Sequence, residues 1–321
     1  MGAMENALPV AIDSPRAGSV VAGSAHATST GNNPGRVGGT ATVLLVGESG
    51  FVGRHVKERL GALPGVELAA PKRSVLDLVE TSRHEICRLL EQVQPTAVVN
   101  CAGVVHGPPE RLVAGNVVGV ARLVRAVGEV VPEARVVHVG SAAEYGAHDV
   151  PVGEGAECRP LGEYGLTKLA GTRVVAGVVR NGVVLRLFNP VGPGAPLGSL
   201  TGRLVAGMRA GGELRLGVTS DVRDFVDVRD AAEAIVAAAL APGVLPPVLN
   251  VGTGRAVAVR DLVELMIEVA SWRGRVVSAS EGSSALPWSC ADVTAIGAAL
   301  GWKARIALRD SLADAWNEVP A

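Results

Sequence analysis

The stretch ATVLLVGESGFVG, residues 41–53, decides the fold of this chain. Residues 41–46 are a short apolar run, which is typical of a buried parallel strand. Three glycines follow, and residues 51–63 have the spacing of an amphipathic helix. Glycines at such a turn let the backbone approach a pyrophosphate, which is stabilised at the positive helix end. The GxxGxxG spacing therefore predicts a dinucleotide site at Gly47, Gly50, Phe51, Val52 and Gly53.

Strand and helix patterns alternate along the chain as far as Leu187. The predicted strands are residues 41–46, 66–70, 97–100, 135–139 and 183–187, and the predicted helices are residues 51–63, 80–93, 112–130 and 164–179. Alternation of this kind predicts right-handed βαβ units and a parallel sheet covered on both faces. The expected fold class is therefore α/β, with a doubly wound parallel Rossmann sheet over residues 41–187.

Beyond Leu187 the alternation breaks at a segment rich in Pro and Gly, residues 190–198. We expect residues 188–321 to form mainly a smaller, substrate-binding lobe. Later sheet strands are predicted near residues 225–228 and 248–251. Residues 1–40 are dominated by small and polar residues and predict a disordered leader.

Composition excludes several classes of protein. The formal net charge is −1, so the chain has no basic field for nucleic acid or an anionic membrane. No apolar run approaches the ~18 residues of a membrane span. The four cysteines are scattered without CxxC or Cys/His spacing, which predicts no disulfide framework and no metal site and fits a reducing cytoplasm.

Tyr164 and Lys168 lie four residues apart in YGLTK and therefore on one face of the predicted helix. Lowering a phenol pKa from ~10 to ~7 takes about 4 kcal/mol, and a cation about 4 Å away supplies roughly that at a dielectric near 20. Lys168, with the positive nicotinamide of an oxidised cofactor, should make Tyr164 a proton donor and acceptor near neutral pH. Upstream, Ser141 ends a predicted strand, where its hydroxyl either faces the ligand crevice or only caps a turn.

These segments together resemble extended short-chain dehydrogenases/reductases, the NAD-dependent epimerase/dehydratase group that modifies nucleotide-activated sugars. The resemblance extends from about residue 42 to residue 316. The motifs that carry it are GESGFVG (47–53), NCAG (100–103), Asn116, GSAAEYG (140–146), YGLTK (164–168), RLFNPVGPG (186–194), RDFVDVRD (223–230) and LNVG (249–252).

The resemblance implies a role for individual residues of this chain. It implies a catalytic set of Ser141, Tyr164 and Lys168. It also implies cofactor contacts from Ala102, Asn116, Tyr164 and Lys168, an adenine contact from Asp77, and substrate contacts from Ser141, Asn189 and Arg223. For Arg223, which would bind the diphosphate, a salt bridge with Asp221 or Asp227 is the alternative. The resemblance further implies a homodimer formed through residues 112–130 and 164–179.

The residues that follow Ser141 bear on the reaction. Sugar dehydratases of the group place a carboxylate just after the catalytic hydroxyl, whereas Ala142 and Ala143 stand there in this chain. Glu144 is one residue further on and should point elsewhere, so dehydration is disfavoured. A reductase of a nucleotide-bound 4-keto-6-deoxysugar and a nucleotide-sugar 4-epimerase remain. A regulator that senses NAD(P) without turnover is a further alternative, although it would not need the Ser141, Tyr164 and Lys168 set.

The second predicted strand favours the reductase. An NAD enzyme is expected to have Asp or Glu at its end for the ribose 2′-hydroxyl, but Pro71, Lys72 and Arg73 follow it here. Two cations suit the 2′-phosphate of NADP, and Arg54 is expected to reach the same phosphate. We therefore expect NADP(H) to be preferred, with NAD(H) possible. The alternative is that Lys72 and Arg73 only form a solvated basic turn.

Overall fold

A computed structural model of the chain describes residues 40–217, 219–278 and 286–318. The predicted leader, residues 1–40, lies outside the described residues apart from Thr40. The strands are β1 Ala41–Val46, β2 Val66–Ala69, β3 Ala97–Asn100, β4 Arg135–Ser141, β5 Gly182–Leu187, β6 Pro190–Val191, β7 Glu213–Leu216, β8 Val222–Arg223, β9 Val226–Asp227, β10 Val248–Val251, β11 Val257–Ala258, β12 Arg275–Ser278 and β13 Trp288–Ser289.

The helices are α1 Phe51–Gly61, α2 Arg83–Val93, α3 Pro109–Val113, α4 Val120–Val130, α5 Glu163–Val178, α6 Leu200–Ala210, α7 Val228–Leu240, α8 Val259–Ala270, α9 Thr294–Leu300 and α10 Leu308–Asn317. A π-helical turn, Ala114–Gly119, joins α3 to α4, and a 3-10 turn, Ala142–Glu144, follows β4. Within the described residues, no helix combines the length and the apolar character that a membrane span requires.

Six parallel strands form the central sheet in the order β10-β5-β4-β3-β1-β2. The predicted doubly wound parallel sheet is therefore confirmed. The chain moves from β1 outward to β2 and then returns to β3 on the other side of β1. Ligands of open α/β sheets bind outside the carboxyl ends of the strands at such a reversal. The glycine-rich loop after β1 lies at this point.

Two apolar cores cover the two faces of this sheet. Leu45 and Leu185 face α1, α7 and α9, whereas Leu44 and Val98 face α2, α4 and α5. Because successive residues of a strand point to opposite faces, Leu44 and Leu45 are both fully buried. This explains why residues 41–46 show a continuous apolar run rather than an alternating one.

The C-terminal lobe has a core of its own. Leu204 of α6, Leu262 of α8 and Leu312 of α10 pack together with Leu214 of β7. The lobe is not one continuous segment, because α7, β10 and α9 return to the central sheet.

The strand predicted near residues 225–228 does not join the central sheet. β9, Val226–Asp227, pairs instead with β6, Pro190–Val191, in a separate two-stranded sheet. The strand ends at Asp227 because this residue is the N-cap of α7, where its side chain accepts the backbone N–H of Arg229. The strand predicted near residues 248–251 is present as β10 and pairs with β5.

Candidate active site

The loop between β1 and α1 is shaped by two glycines. Gly47 has φ of 84°, and a Cβ on it would lie 2.6 Å from the backbone nitrogen of Ala102. A Cβ on Gly53 would lie 1.9 Å from the Gly47 carbonyl oxygen. Only glycine therefore allows this loop to close against the loop after β3. Gly50 is less constrained: its N–H donates to the Gly47 carbonyl at 3.1 Å, and a Cβ there would meet that oxygen at 3.4 Å.

A cleft of about 410 Å³ opens beside this loop. The predicted cofactor residues among those that line it are Gly47, Gly50, Arg73, Asp77 and Ala102. Lys72 is exposed but is not among the lining residues, and Phe51, Val52 and Gly53 begin α1 behind the loop. A larger cleft of about 680 Å³ is lined by residues of α1, α7 and the segment after α9, and includes no predicted site residue. The smaller cleft is therefore the one at which predicted cofactor residues meet.

Two of the predicted cofactor residues bind each other. Nε of Arg73 donates to the Asp77 carboxylate at 2.7 Å. Burial raises the pKa of Asp77, but hydrogen bonds from Arg73 and from the Val79 N–H bring it below its ordinary value. This contact uses only Nε of Arg73, so the N–H groups of its terminal nitrogens can bind a phosphate beside Asp77 or in its place. Arg54 does not face this cleft, because its guanidinium donates to the carbonyl oxygen of Pro193.

Asn116 lies in the π-helical turn, which interrupts the helix predicted over residues 112–130. Its side chain exchanges two hydrogen bonds of 2.8 Å with the backbone of Val104. It also donates to the Thr167 hydroxyl at 3.0 Å, and that hydroxyl donates to the Tyr164 carbonyl. π-Helical turns occur frequently at functional sites. Here the turn connects the loop after β3 to the helix that carries Tyr164 and Lys168.

Ser141, Tyr164 and Lys168 meet at the carboxyl end of β4. The Ser141 hydroxyl lies close enough to Tyr164 to oppose the rise in its pKa, and it accepts the Ala143 N–H at 3.2 Å. Of the two roles that the sequence left open, the structure contains the turn cap, and a role of this hydroxyl in the ligand crevice stays a prediction. Nζ of Lys168 donates to the Val139 carbonyl at 2.5 Å.

Burial dominates the electrostatics of this set. Burial raises the pKa of Tyr164, although the Ser141 hydroxyl opposes the change. Burial lowers the pKa of Lys168 from 10.5 to about 8. The depression of the Tyr164 pKa expected from the sequence is therefore absent, because desolvation of the phenolate outweighs its stabilisation by the residues of the chain. The expectation included the positive nicotinamide of an oxidised cofactor, and for that complex it stays a prediction.

Three further buried residues near the set were not singled out as site residues by the sequence. Glu144 is completely buried and its carboxylate is 2.8 Å from Nε of Arg186. His138 is also buried; desolvation, with the Lys168 charge, places its pKa well below the ordinary value. It therefore stays neutral and contacts Asn100 at 3.1 Å. A charged residue inside an apolar strand, such as Arg186 in β5, was the signal available in the sequence.

The two predicted substrate residues lie at the start of the lobe and have partners of their own. Asn189 donates to the Asp224 carbonyl at 2.9 Å. Arg223 donates to Asp221 and to the Val222 carbonyl, both at 2.9 Å. Of the two alternatives for Arg223, the structure thus contains the salt bridge with Asp221. A role for these two residues in substrate binding stays a prediction.

Comparison with known proteins places the chain in a family. Residues 43–252 match the family described as NAD dependent epimerase/dehydratase family. The chain is 38% identical over 305 residues to a dTDP-6-deoxy-L-talose 4-dehydrogenase (NAD(P)(+)) of Kitasatospora kifunensis, covering 86% of this chain and 95% of that protein. It is 29% identical over 252 residues to a GDP-6-deoxy-D-mannose reductase of Pseudomonas aeruginosa, covering 72% and 81%.

A solved structure agrees in fold and in sequence. MoeE5 in complex with UDP-glucose and NAD superposes with a TM-score of 0.75 at 28% identity, covering 86% of this chain and 97% of that one. The region matched by the family, residues 43–252, includes the glycine loop and the YGLTK helix. The chain belongs to the NAD dependent epimerase/dehydratase family, and is an enzyme of the extended short-chain dehydrogenase/reductase type.

Proposed function

We propose that this protein is an NAD(P)H-dependent ketoreductase of a nucleotide-activated 4-keto-6-deoxysugar. In reverse it would act as a dehydrogenase of the 4-hydroxyl group. The observation that carries the proposal is the meeting of Ser141, Tyr164 and Lys168 beside the cleft that the glycine loop lines. The similarity to a dTDP-6-deoxy-L-talose 4-dehydrogenase over 86% of the chain supports this substrate class.

The three side chains would divide the work of reducing a ketone. A bound NAD(P)H supplies the hydride to the carbonyl carbon. The Tyr164 hydroxyl gives its proton to the oxygen that becomes the 4-hydroxyl, and the Ser141 hydroxyl donates a hydrogen bond to the same oxygen. Lys168 lies one helical turn from Tyr164, and its ammonium stabilises the phenolate that remains. A proton from water then restores the tyrosine.

The surroundings of Ser141 support a reductase over a dehydratase. Elimination of water needs an acid–base group within hydrogen-bond reach of the substrate proton. Ala142 and Ala143 have no such group. Glu144, the next carboxylate, is completely buried. One of its oxygens accepts hydrogen bonds from Thr172 and Arg186, and the other accepts the Ser141 N–H. It is therefore not available to remove a proton from a sugar.

We infer a preference for NADP(H) over NAD(H). Arg73 lines the cleft and its partner Asp77 lies beside it. Its side chain is 63% exposed, so exchanging the Asp77 carboxylate for a 2′-phosphate needs no refolding of the loop. A guanidinium can also bind a phosphate through two hydrogen bonds. The relative from Kitasatospora kifunensis is named for both cofactors, so NAD(H) is the alternative.

The decisive assay uses a nucleotide-bound 4-keto-6-deoxyhexose together with NADPH. We expect one NADPH to be oxidised for each sugar reduced, followed as loss of the nicotinamide absorbance. Inversion of a 4-hydroxyl sugar without added cofactor would identify a 4-epimerase instead and overturn the proposal. The thymidine, guanosine and uridine diphosphate forms of the substrate should be compared, because the nucleotide is not defined by these residues.

We further infer a cytoplasmic homodimer. The four cysteines are free in the structure, which fits a reducing compartment. α4 packs on α5, and Val118 and Leu166 are exposed apolar residues on or beside this pair. Two copies joined there would cover them. Sedimentation at micromolar concentration tests this, and a mass equal to one chain would refute it.

A further inference from the structure

A buried carboxylate connects three elements directly behind the catalytic serine. Glu144 is 0% exposed. One of its oxygens accepts the backbone N–H of Ser141 at 2.8 Å. The other accepts the Thr172 hydroxyl and Nε of Arg186, both at 2.8 Å. One side chain thus binds the end of β4, the middle of α5 and the strand β5.

The contact to α5 falls on the helix face that carries the reacting groups. Thr172 is four residues beyond Lys168 and eight beyond Tyr164, so all three lie along one face. We propose that Glu144 is a positioning residue that holds Ser141 and the Tyr164–Lys168 face of α5 at their working separation. This inference rests on the proposed oxidoreductase function, but it concerns a residue that would touch neither the substrate nor the cofactor.

Arg186 makes this arrangement possible inside the protein. It is 3% exposed and forms an ion pair with Glu144. Its guanidinium carbon lies 4.4 Å from the ring centre of Tyr145, and the Tyr145 hydroxyl donates to Asn250 at 2.7 Å. A buried charge is tolerated when it is paired and hydrogen-bonded, so the ion pair with Arg186 allows the Glu144 carboxylate to lie inside the protein.

The carboxylate is also close enough to influence both reacting groups. Its charge raises the pKa of Lys168 against the effect of burial. Burial is the main cause of the raised pKa of Tyr164, and the Glu144 charge raises it further. Replacing Glu144 by glutamine should therefore lower the pKa of Tyr164, and the Arg186 charge left behind acts in the same direction.

The other titratable groups that face the pair are neutral near neutral pH. His138 of β4 has a pKa well below its ordinary value because of burial and the Lys168 charge. Cys101, in the loop after β3, has a pKa raised by burial to about 12. The Glu144–Arg186 ion pair is thus the neighbour whose change a titration should detect.

The test begins with a titration that needs no substrate. The chain contains two tyrosines, and burial raises the pKa of Tyr145 to about 12. The first tyrosinate absorbance to appear on raising the pH, with oxidised cofactor bound, should therefore belong to Tyr164, and Tyr164→Phe should remove it. We expect Glu144→Gln to move this transition down by about one pH unit, the shift that corresponds to a tenfold change in ionisation.

Kinetics test the positioning itself. Thr172→Val removes the hydroxyl that ties α5 to Glu144 and should lower kcat roughly tenfold with little change in KM, a loss of ~1.4 kcal/mol in the barrier. Thr172→Ser keeps the hydroxyl and should recover most of the rate. Thr201→Val is the matched control, because the buried Thr201 hydroxyl has no hydrogen-bond partner among the described residues.

The outcomes separate this inference from the proposed reaction. A tyrosinate transition in Glu144→Gln equal to that of the parent, or equal kcat in Thr172→Val and Thr201→Val, would overturn the positioning role. Because the titration uses cofactor alone, it still tests that role if the protein turns out not to reduce a 4-keto sugar. If the protein proves to be a 4-epimerase, the proposed function is wrong, but a shifted Tyr164 transition in Glu144→Gln would still support the positioning role.

Discussion

Replacing Lys168 by methionine should make the protein more stable and inactive at once. The Lys168 side chain is buried, with 5% of the residue exposed, and burial lowers its pKa from 10.5 to about 8. At ~1.4 kcal/mol per pH unit, this difference means that the charged lysine costs about 3 kcal/mol of stability near neutral pH. Methionine has a similar length, carries no charge and suits an apolar site.

Part of this gain is lost with the hydrogen bond from Lys168 to the Val139 carbonyl, which contributes about 1 kcal/mol. We therefore expect Lys168→Met to raise the free energy of unfolding by about 2 kcal/mol. In domains of about 150–250 residues, this gain corresponds to a Tm increase of roughly 4–8 °C. Catalysis should fall at least about a hundredfold, because the ammonium no longer stabilises the tyrosinate.

The pH dependence of the gain follows from the direction of the pKa change. Below the folded-state pKa of about 8, lysine is protonated in both the folded and the unfolded chain, so the parent carries the full cost. Between about 8 and 10.5, the folded parent loses its proton first and its stability rises towards that of the variant. Above that range lysine is neutral in both states and the advantage of Lys168→Met disappears.

Thermal unfolding of the protein without added cofactor, from about pH 7 to about pH 10, measures this difference directly. The exposed Lys303 provides the control, since Lys303→Met should leave Tm nearly unchanged at every pH. A Lys168→Met variant that is less stable than the parent, or whose advantage does not shrink as the pH rises, would refute the argument that burial destabilises the ammonium.

Three further predictions can be tested with purified protein. Tyr164→Phe should lower kcat at least about a hundredfold while cofactor affinity stays nearly constant, and an active variant would mean that the proton donor lies elsewhere. Lys72→Ala combined with Arg73→Ala should weaken NADPH about ten- to a hundredfold and leave NADH almost unchanged in titrations at low salt, whereas equal losses would mean that the cations only shape the turn. Gly47→Ala should cost ~1–3 kcal/mol from the positive φ alone and weaken both cofactors, while Gly61→Ala, which meets nothing within 4 Å, should change neither unfolding nor binding by a comparable amount.

Much of the architecture could be predicted because its signals are local. The apolar run of residues 41–46 and the glycines after it specify a buried strand and a turn through neighbouring residues alone. Likewise, the spacing of Tyr164 and Lys168 places both on one helix face by helix geometry. The helix predicted over residues 112–130 was less accurate, because nothing in a 3.6-residue pattern indicates the π-helical turn at Ala114–Gly119.

What the sequence could not predict was which partner each arginine side chain would bind. Arg54 follows the glycine loop, yet its guanidinium bonds to Pro193, 139 residues further along the chain. Arg73, expected at a phosphate, is held by Asp77. Long flexible side chains can reach several partners from one backbone position, so folding decides among partners that the sequence leaves equivalent.

The sequence by itself determined the parallel sheet and the glycine turn after its first strand, because strand periodicity and glycine geometry act over a few residues. It also predicted the Ser141, Tyr164 and Lys168 set, through the spacing of YGLTK and the resemblance of the motifs to a family. Only the tertiary structure decided the electrostatic state of that set. Burial raises the pKa of Tyr164 and lowers that of Lys168, and the pairing of Glu144 with Arg186 joins residues 42 positions apart. Desolvation depends on everything that surrounds a group in space, and that is defined only when the whole chain has folded.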